Sequence, residues 1–198
     1  MRISVYNLFF LLTLLMMFSA CAPGRHIPDD QHLLNRNSIQ IKDAEIGRNE
    51  LRAFLRQRPN RRMFGIYRFH LNMYLLADRG RETGLKRWVK NAMGEPPVIY
   101  DPVLTENTRR QFELYMHNKG YFNANVEQKV HFRGNRAVVT YRIEGNTPYI
   151  IRNLSFDITD PHVKGFVLAD TANTLVHRGD KYDADILQKE RNRIARHL

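Results

Sequence analysis

Hydrophobic and polar positions along this chain fall into blocks with two distinct periods. Residues 37–42 put Ile39 and Ile41 on one side of a short strand. Over 48–58, Leu51, Phe54 and Leu55 recur at i, i+3 and i+4, predicting an amphipathic helix that Pro59-Asn60 ends. Residues 61–77 are rich in Met, Phe, Tyr and Leu without a clean period, which fits either a helix or a buried loop. Helical spacing returns over 82–92 with Leu85, Trp88, Val89 and Ala92, and Trp88 reads as a core residue. Asp101-Pro102 then forms an N-cap and first-turn pair, with Leu104, Thr108, Phe112 and Tyr115 in one stripe behind it. Gly120 closes that helix in the left-handed conformation. Ala124, Val126, Val130 and Phe132 alternate, Arg133-Gly134-Asn135 turns, and Ala137, Val139, Tyr141 and Ile143 alternate again. That is a β-hairpin. Strand, helices and hairpin together predict an α+β fold, helices layered on a small sheet.

Beyond Gly145 the pattern restarts. Residues 150–160 align with 33–43, predicting a second strand. Tyr182-Asp183 aligns with Tyr100-Asp101, Ile186 with Leu104, Arg191 with Arg109 and Ile194 with Phe112, at a constant offset of 82 residues. Two ordered matches predict a tandem repeat whose second copy is shorter. That copy reaches Leu198 inside a helix without a hairpin to complete its sheet, so a longer protein is the expected context. Asp101 and Asp183 occupy equivalent helix starts and read as caps, not as a catalytic carboxylate pair.

Charge first points elsewhere. The 198 residues carry 31 Lys plus Arg against 20 Asp plus Glu, a formal charge of +11, which ordinarily raises nucleic acid as a partner. Residues 1–20 change that. They hold one base, Arg2, no acid, an apolar run from Leu8 to Phe18, and Ser19-Ala20 before the chain's single Cys, Cys21. The run is short for a membrane span and reads as a secretory signal peptide. Phe18-Ser19-Ala20-Cys21 resembles the bacterial lipobox, with Phe where that motif usually carries Leu. The resemblance implies a diacylglycerol on the Cys21 thiol and cleavage before it. Several acyl chains give the multiple anchors that stable membrane attachment needs. The exported chain keeps about +10, in a compartment without nucleic acid. Residues 21–32 read as a lipidated tether.

Two basic groups stand out: Arg48, Arg52, Arg56, Arg58, Arg61 and Arg62, and then Arg79, Arg81, Lys86, Arg87 and Lys90 around Trp88. Each is a candidate surface for anionic headgroups, beside the plainer reading of a solvated helix face. HExxH, GxSxG, GxGxxG and Walker-type loops do not occur, and no His pair has helical ligand spacing. No catalytic, cofactor-binding or metal residue is assigned.

A strand–helix–helix–strand–strand module, repeated and exported, with Gly120-Tyr121-Phe122 joining helix to hairpin, resembles the POTRA domain. The stretch from IPDDQHLLNRNSIQI through PVIYDP, NKGYFNANV and PYIIRNLSFDI to LADTANTLVHRGDKYD is similar to the N-terminal part of Bacteroidota BamA/TamA-like outer-membrane proteins, in their lipidated TamL-like form. The resemblance implies tandem POTRA modules at 33–145, with a helical insertion, and at 146–198, truncated. It further implies a non-enzymatic periplasmic role in outer-membrane protein assembly, without the family's C-terminal barrel. Expected partners are outer-membrane lipid through acylated Cys21, a TamB-like or BAM-type assembly partner, and unfolded outer-membrane protein clients. Asn125, Val126, Glu127, Gln128, Lys129, Val130 and His131 form the candidate edge for an added client strand. The alternatives are a stand-alone envelope lipoprotein that binds anionic lipid or an acidic partner through its basic helix faces, or a non-functional fragment.

Overall fold

The computed structural model describes residue 28 and residues 30–197. The signal-peptide reading of 1–20, Cys21 and most of the tether lie outside the described residues. Elements run β1 (Leu33–Lys42), α1 (Arg48–Arg52), α2 (Phe69–Ala77), α3 (Gly84–Ala92), α4 (Pro102–Asn118), β2 (Asn125–Phe132), β3 (Arg136–Glu144), α5 (Pro161–Ala169), a 3-10 turn (Thr171–Asn173) and α6 (Ala184–His197). The fold is α+β, with one three-stranded sheet in the order β1-β3-β2. The central strand buries Ala137, Val139, Tyr141 and Ile143, the predicted alternation. Gly134 supplies the positive φ of the hairpin turn, at 54°.

Two compact units share these strands. The first takes the described residues up to Asn37, Gln57–Asp101 and Val130–Val139. Its core is Leu33, Leu71 and Leu75, with Tyr74 and Ile99 packed against it. β1 starts four residues earlier than its alternation suggested. Leu33 N–H donates to Asn135 O (2.8 Å) and Leu34 N–H to Val98 O (2.8 Å), so the adjacent aliphatics are drawn into the ladder. Buried Asn60 is satisfied at both ends, its Nδ2 donating to Pro96 O (2.8 Å) and its Oδ1 accepting from Val98 N–H (3.0 Å). The ambiguous 61–77 stretch divides into a tight turn, bridged between Met63 and Tyr67, and then α2.

Trp88 corrects the sequence reading. It is 60% exposed, Leu85 is 73% exposed, and α3 buries no residue at all. Helical periodicity reveals an apolar stripe; it does not reveal whether anything covers it.

The second unit takes Ser38–Arg56, Pro102–Lys129 and the described residues from Thr140 onward. Leu51, Phe112, Met116, Tyr121, Val126, Tyr141 and Ile143 are buried here, with Phe112 edge-on to Tyr141 at 5.1 Å. The buried stripe of α4 is Thr105, Thr108, Phe112 and Met116; Leu104 and Tyr115 flank it. Thr108 Oγ1 donates to Leu104 O (2.9 Å) and accepts from Arg56 N–H (3.1 Å). That second bond draws the chain out of helix. The helix predicted over 48–58 accordingly ends at Arg52.

Asp160 Oδ1 caps α5 by accepting from His162 N–H (2.8 Å) and Val163 N–H (3.1 Å), with Pro161 at the first position. Asp183 Oδ1 opens α6 in the same way, accepting from Asp185 N–H at 2.8 Å. The strand expected over 150–160 is absent; Ile150 forms only an isolated bridge with Lys181. Strand pairing needs a partner ladder, and this segment has none among the described residues.

Candidate functional site

Among the described residues β2 pairs only with β3, and its other side is a sheet edge. Asn125, Glu127, Lys129 and His131 are exposed, while Val126 is buried and Gln128 and Val130 are half-buried. Within the second unit this strand is tied to α4. Arg109 Nη1 donates to Val126 O (3.4 Å), and Gln128 Nε2 donates to Glu106 Oε2 (3.3 Å). Glu106 also accepts from Arg109 and Arg110, and these bonds hold its carboxyl down at about 2. Gln128 Oε1 is buried without a hydrogen-bond partner.

The other sheet edge is more occupied. Leu34 N–H is taken by Val98 O, His32 O by Tyr100 N–H (2.7 Å), and Asn35 O by two arginines. Among the described residues, the strand singled out from sequence has the less occupied backbone. Glu127 and Lys129, 4.0 Å apart, put a charged pair on it, the usual protection of a free edge against indiscriminate pairing.

No family model matches the chain, and no curated protein matches it. Among solved structures it is similar to the crystal structure of BamA POTRA3-5 from Haemophilus influenzae. That similarity is 11% identity and a TM-score of 0.33, over 86% of this chain and 88% of that one. The chain's own strands and helices carry the functional reading below.

The six arginines proposed as one basic surface belong to different units. Arg48, Arg52 and Arg56 lie in the second; Arg58, Arg61 and Arg62 lie in the first. All six are exposed. Arg62 has company that the sequence reading missed. Its Nη2 donates to Asn35 O (2.8 Å) and Oδ1 (3.3 Å), and Arg68 Nη2 donates to the same two atoms at 2.8 and 2.7 Å. Arg136 lines the same cavity. The available signal was Arg68 itself, a lone base between Tyr67 and Phe69 in an apolar stretch.

Within the second unit, a groove of about 530 Å³ has an apolar wall of Ile151, Val176, Ile186 and Leu187. Its charges are mutually engaged: Lys119 Nζ donates to Asp183 (2.8 Å) and Asp185 (2.9 Å), and Lys181 pairs with Glu45. Tyr115 donates to Glu50; burial, reinforced by that bond, pushes the phenol up to about 12. The same bond, with a second from Gly47 N–H, lowers the Glu50 carboxyl. These shifts stabilise the resting charge states and move both groups away from neutral-pH proton transfer.

Proposed function

We propose that this chain is a non-enzymatic, POTRA-type periplasmic region of an outer-membrane protein assembly factor. On this proposal it is anchored by lipid on Cys21 and receives extended client or partner strands at β2. One observation carries it: a strand–helix–strand–strand sheet in the order β1-β3-β2 whose β2 edge no other strand pairs among the described residues. Main-chain hydrogen bonding at such an edge is indifferent to side-chain identity, as a receptor for many unfolded barrel strands requires. The sequence resemblance to BamA/TamA-like proteins supports this setting, with modules at 33–145 and 146–198 and a TamB-like or BAM-type partner.

A proline scan over Glu127, Gln128 and Lys129 tests the edge. Backbone N–H groups along a strand point alternately to either side. Proline at one parity will break the β2–β3 ladder and lower the melting temperature. At the other parity it will leave the melt unchanged and abolish crosslinking of an unfolded barrel-strand peptide. Strand reception at β2 is wrong if every well-folded proline variant crosslinks as wild type. The anchor has its own test: metabolic acyl labelling is expected for wild type and lost in Cys21→Ala, and equal labelling would remove the anchor from the proposal.

A second reading, lipid binding through basic helix faces, is favoured by the uncovered Leu85 and Trp88 of α3, which Lys86, Arg87 and Lys90 accompany.

A further inference from the structure

The first unit holds a cavity of about 280 Å³ whose cationic wall is Arg62, Arg68 and Arg136. Arg68 is only 6% exposed. Asn35 is its acceptor and that of Arg62, and no other acceptor engages either side chain among the described residues. None of the three guanidinium groups forms an ion pair with a carboxylate there. The nearest acidic influence is Glu95, whose Oε2 instead accepts from Arg61 N–H at 3.1 Å. Burial, and then the charges of Arg62 and Arg136, pull the Arg68 guanidinium down to about 10. A buried cation crowded by like charges on the two neutral carbonyl oxygens of one asparagine is costly unless an anion joins it. Guanidinium forks suit the paired oxygens of a phosphate.

A second observation stands beside the cavity and is independent of it. The turn bridged by Met63 and Tyr67 is closed by Met63 N–H to Tyr67 O (2.7 Å) and Tyr67 N–H to Met63 O (3.1 Å). Its apex presents Phe64 at 93% and Ile66 at 87% exposure. Phe64 and Gly65 both hold positive φ, 52° and 73°. A bulky side chain in that conformation is uncommon and strained. Among the described residues, both side chains are left almost wholly in water. Ile66 and Tyr67 line the cavity as well, so apolar tip and anion pocket are continuous.

We infer that the Met63–Tyr67 turn and the Arg62–Arg68–Arg136 cavity form a membrane-docking site. The cavity takes the phosphate of an anionic lipid headgroup, and Phe64 and Ile66 enter the acyl region. A bilayer is the occupant that sets a plane of phosphates directly against hydrocarbon, the same juxtaposition that this turn presents. The inference rests on residues of the first unit alone and is independent of strand reception at β2, so either can fail without the other.

The test uses the full chain carrying Cys21→Ala, so that no acyl group anchors it, with Trp88→Phe and Phe64→Trp, so that the only indole stands at the turn. It is mixed with phosphatidylcholine vesicles bearing brominated acyl chains, with and without phosphatidylglycerol. Fluorescence at position 64 is expected to be quenched on the anionic vesicles and not on the neutral ones. Adding Arg62→Gln and Arg136→Gln should raise the lipid concentration needed at least tenfold, with a melt no lower than that of the parent. Arg191→Gln with Arg196→Gln removes the same charge from α6 and should cost less than roughly fivefold, the scale of one unspecific basic contact of about 1 kcal/mol. Absence of quenching, equal quenching on neutral vesicles, or equal losses in the two arginine pairs would each overturn the inference. Inorganic phosphate provides the remaining arm. If it raises the melting temperature through the same arginines while position 64 stays unquenched, the cavity serves free phosphate and the lipid assignment is wrong.

Discussion

Gly120→Ala will destabilise the second unit by about 3 kcal/mol, whereas Gly134→Ala in the hairpin turn will cost about 1. Both glycines have positive φ, 84° and 54°, so both substitutions bear the left-handed penalty of about 1–2 kcal/mol for a residue with a Cβ. Only Gly120 also lacks room. A Cβ there would lie 2.6 Å from Tyr182 O and 3.2 Å from Tyr182 Cβ, whereas at Gly134 it would meet nothing within 4 Å. The close approach exists because Gly120 O accepts from Tyr149 N–H (2.8 Å), and Tyr149 O in turn accepts from Tyr182 N–H (2.9 Å). Phe122, two residues on, packs edge-on against Tyr149 and tilted against Tyr182, each at 5.1 Å between ring centroids. Displacing Tyr182 therefore disturbs a whole aromatic group. Chemical denaturation of the two variants measures the difference, and hydrogen exchange at Tyr149 and Tyr182 should accelerate in Gly120→Ala alone. Equal losses in the two variants would mean that the packing around Gly120 yields without cost.

The motif that makes this prediction possible, Gly120-Tyr121-Phe122, was legible as a helix stop leading into a hairpin. What it packs against was not. Local patterns reported local geometry well: the burial of β3 follows its alternation residue by residue, and α4 buries the expected side within one position. They failed where long-range partners decide. Arg56 N–H bonds Thr108, 52 residues away, and α1 stops early. Residues 150–160 have strand-like composition but no ladder to join. Trp88 lies on an amphipathic helix that buries none of its residues. The place of β2 in a hairpin was readable because it pairs with its sequence neighbour, and among the described strands the sheet order leaves it outermost. The arginine cavity was not, because Asn35, Arg62, Arg68 and Arg136 meet only once β1, the Met63–Tyr67 turn and β3 have formed.

The same dependence on distant partners makes Glu190 the second sensitive position. Glu190 is 6% exposed. Its Oε1 accepts from Thr174 Oγ1 (2.9 Å) and Arg193 Nη2 (2.8 Å), and its Oε2 accepts from Leu175 N–H (3.0 Å) and Arg193 Nε (2.9 Å). Arg193 also pairs with Asp170 just after α5. One carboxylate thus fastens α6 to the loop before it, and Glu190→Ala should cost about 3 kcal/mol, the usual price of stranding one partner of a buried ion pair. The Arg193 bonds hold the Glu190 carboxyl at about 2, below its ordinary 4.5. A carboxyl depressed on folding contributes its stability above the unfolded value and loses it as pH falls toward the folded one. The stability gap between wild type and Glu190→Gln should therefore be widest at neutral pH, begin to close below about 4.5, and vanish near 2. Denaturation across that range checks it. A gap that stays constant with pH would show that Glu190 acts through shape and neutral hydrogen bonds. A closing gap would show that its charge, set against Arg193, holds α6 to the 174–175 loop.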